Sequence, residues 1–319
     1  MTREALTLAC GKQLYFEMAA ALARSFRVHH PEGEIAFTIA TDDPKKIPAD
    51  VAEWCQVHLI EDLSVIGFEL KLNLDRYAKA DATLFIDADC LVTRNLSPFF
   101  DELEGTPVTA FGKNEPAGEW FGDLAARAEA IGTDYIPVLV GALYYFERNE
   151  TAQEVFDTAR AHADRYDELG IVRLRGKKNE EPLISIGMAK NGLRVREDDA
   201  RFKADIMGFH GPFSIDVFDG KVAFCEPKKD VLLAPSCQSP AEPAVAHFND
   251  AYTAMWQYRE QCDALHRHFS QGQSISSAKR GARLATGLPG QTKESLRNTF
   301  RPLFHRLFGT RAVKKNERL

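Results

Sequence analysis

Residues 83–92 read Thr-Leu-Phe-Ile-Asp-Ala-Asp-Cys-Leu-Val. An apolar run leads into two aspartates, Asp87 and Asp89, and apolar residues resume at once. Such a run reads as a strand buried in a sheet. Side chains i and i+2 of a strand share a face, so extended backbone here would aim both carboxylates the same way. Open α/β sheets keep their ligands at the carboxyl ends of the strands, where this pair falls. Two close carboxylates repel, and a hard divalent cation relieves that repulsion. A bare Asp-x-Asp is common in solvated turns. A long apolar strand that ends in one has no packing reason to do so.

Upstream, ALTLAC (5–10) reads as another buried strand, followed by Gly11. Leu14, Met18, Ala21, Leu22 and Phe26 then recur at helical steps over residues 13–28. Pro31-Glu32-Gly33 marks a turn, EIAFTIAT (34–41) a strand stopped by Asp42-Asp43-Pro44, and QVHLI (56–60) a third strand. Residues 69–80 are helical in pattern. Downstream, strands are expected at 138–146, 221–225 and 244–248, and helices at 151–166, 182–190 and 252–269. Strands alternating with helices predict an α/β fold with a mainly parallel central sheet flanked by helices. From residue 271 the chain turns rich in Gly, Ser and Gln, so residues 1–270 are expected to form the folded domain and 271–319 a linker and tail.

Composition narrows the function. The 319 residues are 45% apolar, enough for a sizeable core. No stretch approaches the roughly 20 apolar residues that cross a bilayer, and the opening residues lack the run of a signal peptide. Cysteines 10, 55, 90, 225, 237 and 262 form no C-x-x-C pair, which favours reduced thiols, a cytoplasmic setting and no zinc cluster. Residues 271–319 carry a balance of +9, which leaves the first 270 at -15 within a net charge of -6. An acidic body argues against a nucleic-acid ligand. In the tail, Phe300, Leu303, Phe304, Leu307 and Phe308 fall at helical steps among Arg297, Arg301, Arg306 and Arg311, with Pro302 expected in the first turn. That pattern suits a basic amphipathic helix lying on anionic lipid at the inner face of a membrane; a docked helix or free tail is the plainer alternative.

The block KLNLDRYAKADATLFIDADCLVTRNLSPFF (71–100) resembles the central block of family 8 glycosyltransferases and their GT-A relatives, the group of glycogenin and bacterial lipopolysaccharide sugar transferases. The resemblance implies a GT-A fold. It also implies retaining transfer of a sugar from a nucleotide-diphosphate donor, UDP foremost, to a glycan, lipid-linked or protein acceptor, with Mn²⁺ or Mg²⁺ as cofactor. Carried over residue by residue, it makes Asp87, Asp89 and His247 metal ligands. Lys71 would stand near the donor sugar and phosphates. Ala9, Cys10, Gly11 and Tyr15 would form the nucleotide site, and Gly141 would lie beside the sugar. Glu180 or Glu181 would face the anomeric carbon or acceptor.

The match has gaps. Val140 replaces an expected Asn, Asp250 a Gly and Thr253 a Lys, and Trp256 comes one residue late. Each site residue also has a plain reading: Lys71 as a solvated charge, Tyr15 and His247 as packing, Glu180 and Glu181 as acids at the start of a helix. A haloacid-dehalogenase-type phosphatase also carries Asp-x-Asp after an apolar strand, though on its first strand. A non-catalytic sugar-nucleotide-binding relative is the other alternative.

Overall fold

The computed structural model describes residues 1–65, 67–229, 233–237 and 239–310. In chain order its strands are β1 (Arg3–Ala9), β2 (Ala36–Thr41), β3 (Gln56–Leu59), β4 (Ala82–Ile86), β5 (Cys90–Val92), β6 (Val108–Thr109), β7 (Phe111–Glu115), β8 (Ile136–Leu139), β9 (Leu143–Glu147), β10 (Arg196–Glu197), β11 (Lys203–Asp205), β12 (Phe209–Asp216), β13 (Lys221–Pro227) and β14 (Val245–His247). The main sheet has the order β3-β2-β1-β4-β9-β6. Its first four strands are parallel, and β9 runs antiparallel to both β4 and β6. Among the described residues no helix is long and apolar enough to cross a membrane.

The sheet is buried on both faces because its strands are apolar throughout. Leu84 and Ile86 of β4 point into one core and Phe85 into the other, as the two-residue period requires. The helix Gln13–His29 covers the first face with Phe16, Ala19, Leu22, Ala23 and Phe26. Helices Glu150–Ala163 and Glu180–Lys190 cover the second with Val155, Phe156, Leu183 and Ile184. Each fully buried Leu or Phe contributes about 2 kcal/mol of transfer free energy.

Four local expectations are corrected. The acidic pair is not on a strand. β4 ends at Ile86, and Cys90 N–H donates to Asp87 O at 3.1 Å to close a tight turn. β5 then leaves the main sheet for a small one ordered β11-β14-β5. The strand expected over 138–146 is broken at residues 140–142, so β8 and β9 join different sheets. Residues 69–80 are not one helix: a 3-10 stretch, Gly67–Asn73, precedes a short turn of helix, Leu74–Tyr77.

The fourth correction concerns the expected linker. Residues Ile275–Ala282 form a helix, capped by the Ser274 hydroxyl that accepts from Ser277 N–H at 3.3 Å. Ala278 and Ala282, four apart, are fully buried. A side chain at Gly287 or Gly290 would collide with Glu260 or Trp256, so these glycines permit close packing rather than flexibility. Pro302 lies well inside the long helix Leu288–Phe308, not in a first turn. The outer half of that helix is exposed: Phe300 is 58% and Phe308 69% accessible. Arg311 lies outside the described residues.

Candidate active site

The carboxyl ends of β1, β2 and β4 meet on one edge of the main sheet. Leu6 pairs with Phe85, so Ala9 stands level with the acidic turn. Gly11, at φ +81°, turns the chain out of β1, and its N–H donates to Asp42 Oδ2 at 2.9 Å, just beyond β2. Gly11 is exposed, Cys10 and Tyr15 are half-buried, and Ala9 is buried. Burial pushes the Cys10 thiol up to about 11, with Asp42 adding to the effect, so it stays neutral at ordinary pH.

Lys71 is buried and central. Its ammonium lies 2.7 Å from Asp87 Oδ2 and 3.0 Å from Glu180 Oε1, and donates to Gly141 O at 3.1 Å. Burial alone would drive its proton off, but the two carboxylates outweigh that and hold it as a cation. The sequence brings these groups together by three devices. The 3-10 stretch carries Lys71, the turn after β4 carries Asp87, and the break between β8 and β9 carries Gly141. A Cβ on Gly141 would stand 2.7 Å from Glu180 Oε1 and 2.8 Å from the Tyr144 hydroxyl, so no side chain fits there.

Glu180 and Glu181 open the helix Glu180–Lys190, where the positive end of the dipole favours acids. Asn179 caps it by accepting from Glu181 N–H at 3.4 Å. Glu181 Oε1 in turn accepts from Gly141 N–H at 2.6 Å. Glu180 is 1% exposed, and its Oε2 has no hydrogen-bond partner; neither has the buried Tyr144 hydroxyl. Burial pushes Glu180 up to about 7, the Lys71 charge opposing and the Glu181 charge assisting. A fully buried carboxylate oxygen without a donor is rare in native proteins.

On the other side of the acidic turn, β14 pairs with β5 and sets His247 opposite Cys90. His247 Nε2 lies 3.2 Å from Asp89 Oδ1. Asp89, Cys90 and His247 bring one ligand atom each within 4.8 Å of one another. Burial lowers the His247 imidazole's basicity, but Asp89 and Asp205 outweigh it and push it up to about 10. Burial and the surrounding acids push the Cys90 thiol well up, so it stays protonated. Asp87 is not among the three clustered groups, since its Oδ2 is turned to Lys71. A carboxylate and an imidazole are donors that can hold a divalent cation.

The structure thus gathers Lys71, Asp87, Gly141, Glu180 and Glu181 in one contact network, and Asp89 with His247 in an adjoining one. Ala9, Cys10, Gly11 and Tyr15 lie along the same edge of the sheet. Sequence reasoning missed Asp42, Tyr144, Cys90 and Asp205. Asp42 carried a signal, as an acid just past a strand on the carboxyl edge. Asp205 carried none: it sits 42 residues before its partner His247.

No protein-family model matches the chain, and no curated protein does. Among solved structures, it is similar to the galactosyltransferase LgtC in complex with donor and acceptor sugar analogues. The two share 17% identity with a TM-score of 0.55, over 86% of this chain and 99% of that one. An active-site mutant of LgtC matches at 16% identity and a TM-score of 0.54 over the same shares. The bifunctional glycosyltransferase WbbM matches at 12% identity and a TM-score of 0.50, over 82% of this chain and 49% of that one. The chain therefore has the fold of the GT-A glycosyltransferases.

Proposed function

We propose that this protein is a metal-dependent glycosyltransferase that moves a sugar from a nucleotide-diphosphate donor, UDP-linked by preference, to an acceptor hydroxyl with retention of configuration. One observation carries the reading. At the carboxyl edge of the sheet Asp87 and Glu180 share one ammonium, that of Lys71, Asp89 lies beside His247, and among the described residues a buried Glu180 oxygen is left without a donor. Acceptors in excess of donors suit a site that receives a cation and a hydroxyl-rich ligand.

Asp87, Asp89 and His247 would hold the cation, Mn²⁺ or Mg²⁺. Bound there, it supplies positive charge to the departing diphosphate. Ala9, Cys10, Gly11 and Tyr15 would take the nucleoside, Gly11 by letting the ligand approach the backbone and Tyr15 by its ring. Lys71 would pair with a phosphate oxygen once Asp87 turns to the cation. Gly141 lets the sugar lie against the backbone. Glu180, neutral or charged near pH 7, can accept a hydroxyl hydrogen or support positive charge at the anomeric carbon; Glu181 is tied to Gly141 N–H.

A screen of nucleotide-sugars for donor hydrolysis, with Mn²⁺ and with chelator, tests this. Metal-dependent release of nucleoside diphosphate is expected, and absence of hydrolysis for every donor would leave the binding-protein alternative standing. Release of phosphate from p-nitrophenyl phosphate would favour the phosphatase instead.

The outer helix suggests where the protein works. Leu296, Phe300, Leu303, Phe304, Leu307 and Phe308 form one exposed apolar stripe, flanked by Arg297, Arg301 and Arg306. We propose that this stripe lies on anionic lipid at the cytoplasmic face of a membrane. Co-sedimentation with phosphatidylserine vesicles is expected for the intact chain and lost in a Phe300→Asp, Phe304→Asp, Phe308→Asp triple variant. Equal pelleting of the two would remove the tail from the account.

A further inference from the structure

Behind His247 runs a buried chain of alternating charge that the proposed reaction does not itself require. β11 lies parallel to β14 with Asp205 directly beside His247. Asp205 Oδ1 hydrogen-bonds His247 Nδ1, the ring nitrogen turned away from the acidic turn. Asp205 Oδ2 accepts from Lys203 Nζ at 2.5 Å, and Lys203 Nζ also donates to Asp198 Oδ2 at 2.7 Å. All four side chains are at least nine-tenths buried. Of the groups in line, Asp89 alone stands at the edge of the site, 14% exposed.

A buried ion-pair chain of this kind adds little to stability, because desolvation cancels most of the attraction and apolar residues of similar volume would serve as well. It does fix direction. Nδ1 meets Asp205 and, at 3.1 Å, the Asn249 side-chain amide, which together fix the plane of the imidazole and leave Nε2 facing Asp89. Ligand histidines are commonly oriented in this way by a carboxylate on the other nitrogen. Lys203 in turn holds both Asp205 oxygens in place, one on itself and one on the ring.

We propose that Asp205 is a positioning residue for the metal ligand His247, and that Lys203 and Asp198 anchor it. The inference rests on His247 being a ligand as set out above. It assigns the three-stranded sheet β11-β14-β5 the task of building that ligand, with the main sheet supplying the acidic turn.

The test is Mn²⁺ affinity, read by the electron paramagnetic resonance signal of free Mn²⁺ in the presence of UDP. Wild type, His247→Ala and Asp205→Asn are compared, with thermal melts of each in chelator. Asp205→Asn keeps the shape and one acceptor and is expected to weaken Mn²⁺ binding about 10- to 100-fold; it also removes a buried charge beside Lys203, so its metal-free melting temperature falls, and affinities are compared below it. Unchanged affinity in Asp205→Asn beside a loss in His247→Ala overturns this inference and leaves the parent reading intact. No metal binding by wild type overturns both. A second measurement needs no variant: long-range ¹H–¹⁵N spectra of the wild type with Mg²⁺ and UDP should show the His247 proton on Nδ1. A proton on Nε2 in that complex would contradict the proposal.

Discussion

The two edges of the main sheet each bury acidic groups, and they treat them differently. At the amino edge Glu4, 1% exposed, accepts from Lys79 N–H at 2.5 Å, Ala80 N–H at 2.9 Å, and the Thr38 and Thr83 hydroxyls at 2.6 and 3.1 Å. Nearby, Arg160 grips Asp75 with two bonds of 2.7 and 2.9 Å. Each carboxylate oxygen of Glu4 and Asp75 there has its donor. At the carboxyl edge Lys71 is divided between Asp87 and Glu180, and a Glu180 oxygen and the Tyr144 hydroxyl lack partners. An open hollow does lie at the amino edge, lined by Asp75, Arg148 and Arg160. Concavity therefore does not separate the two regions; unmet hydrogen-bonding capacity does. A closed polar network holds the fold together, and an open one waits for a ligand.

The sharpest way to break this contrast is a pair of substitutions. Asp89→Asn is expected to cut donor turnover about 10³-fold or more, the scale of several kcal/mol of charge stabilisation, while its melting temperature stays near that of wild type, relief of the Asp87 repulsion offsetting the lost His247 attraction. Glu4→Gln should do the reverse. It strands buried donors at a cost of about 1–3 kcal/mol, with turnover per folded molecule retained. Loss of activity in both, or of stability in both, would erase the distinction.

Glu180→Gln comes next. Turnover is expected to fall about 10²-fold, the lower range for a positioned acid or base. Its effect on stability has a definite sign. The carboxyl titrates near 7 in the folded chain and near its ordinary value of 4.5 when unfolded. Between those values the folded state holds more protons, so this group's contribution falls as pH rises and is lowest above 7. Glu180→Gln removes that penalty. Melts should show it gaining more over wild type at pH 8 than at pH 5; a larger gain at pH 5 would mean the Lys71 pair dominates.

Gly141→Ala probes fit rather than charge. The added methyl meets Glu180 and the Tyr144 hydroxyl below 3 Å, and a misplacement on that scale costs up to about 10² in rate. Steady-state kinetics should show the loss mainly in kcat. The smallest effect belongs to the amino edge. Asp157, 57% exposed, holds Arg160 at 2.7 Å, and Asp157→Ala should change stability by less than about 1 kcal/mol and turnover not at all.

The same contrast explains what could be read from the sequence. β1, β2 and β4 are apolar runs whose burial is local information, and so was the acidic pair that ends one of them. His247 was legible as the end of AVAH before an aromatic-rich stretch. Three things were not legible. Asp87 and Asp89 share a tight turn rather than a strand face, because Asp87 N–H still bonds Ala142 O at 2.9 Å while β5 departs for another sheet. Asp205 reaches His247 through a three-residue strand pairing that no local pattern marks. Glycines at 287 and 290 suggested a linker, yet they are contact points of packed helices, a distinction only the neighbouring Glu260 and Trp256 reveal.

Calorimetric titration of UDP into wild type and Asp89→Asn, each with Mn²⁺ and with chelator, addresses the central claim most directly. The account predicts binding that depends on Mn²⁺ in wild type and that dependence abolished in the variant. Equal Mn²⁺-dependent binding by both proteins would contradict it.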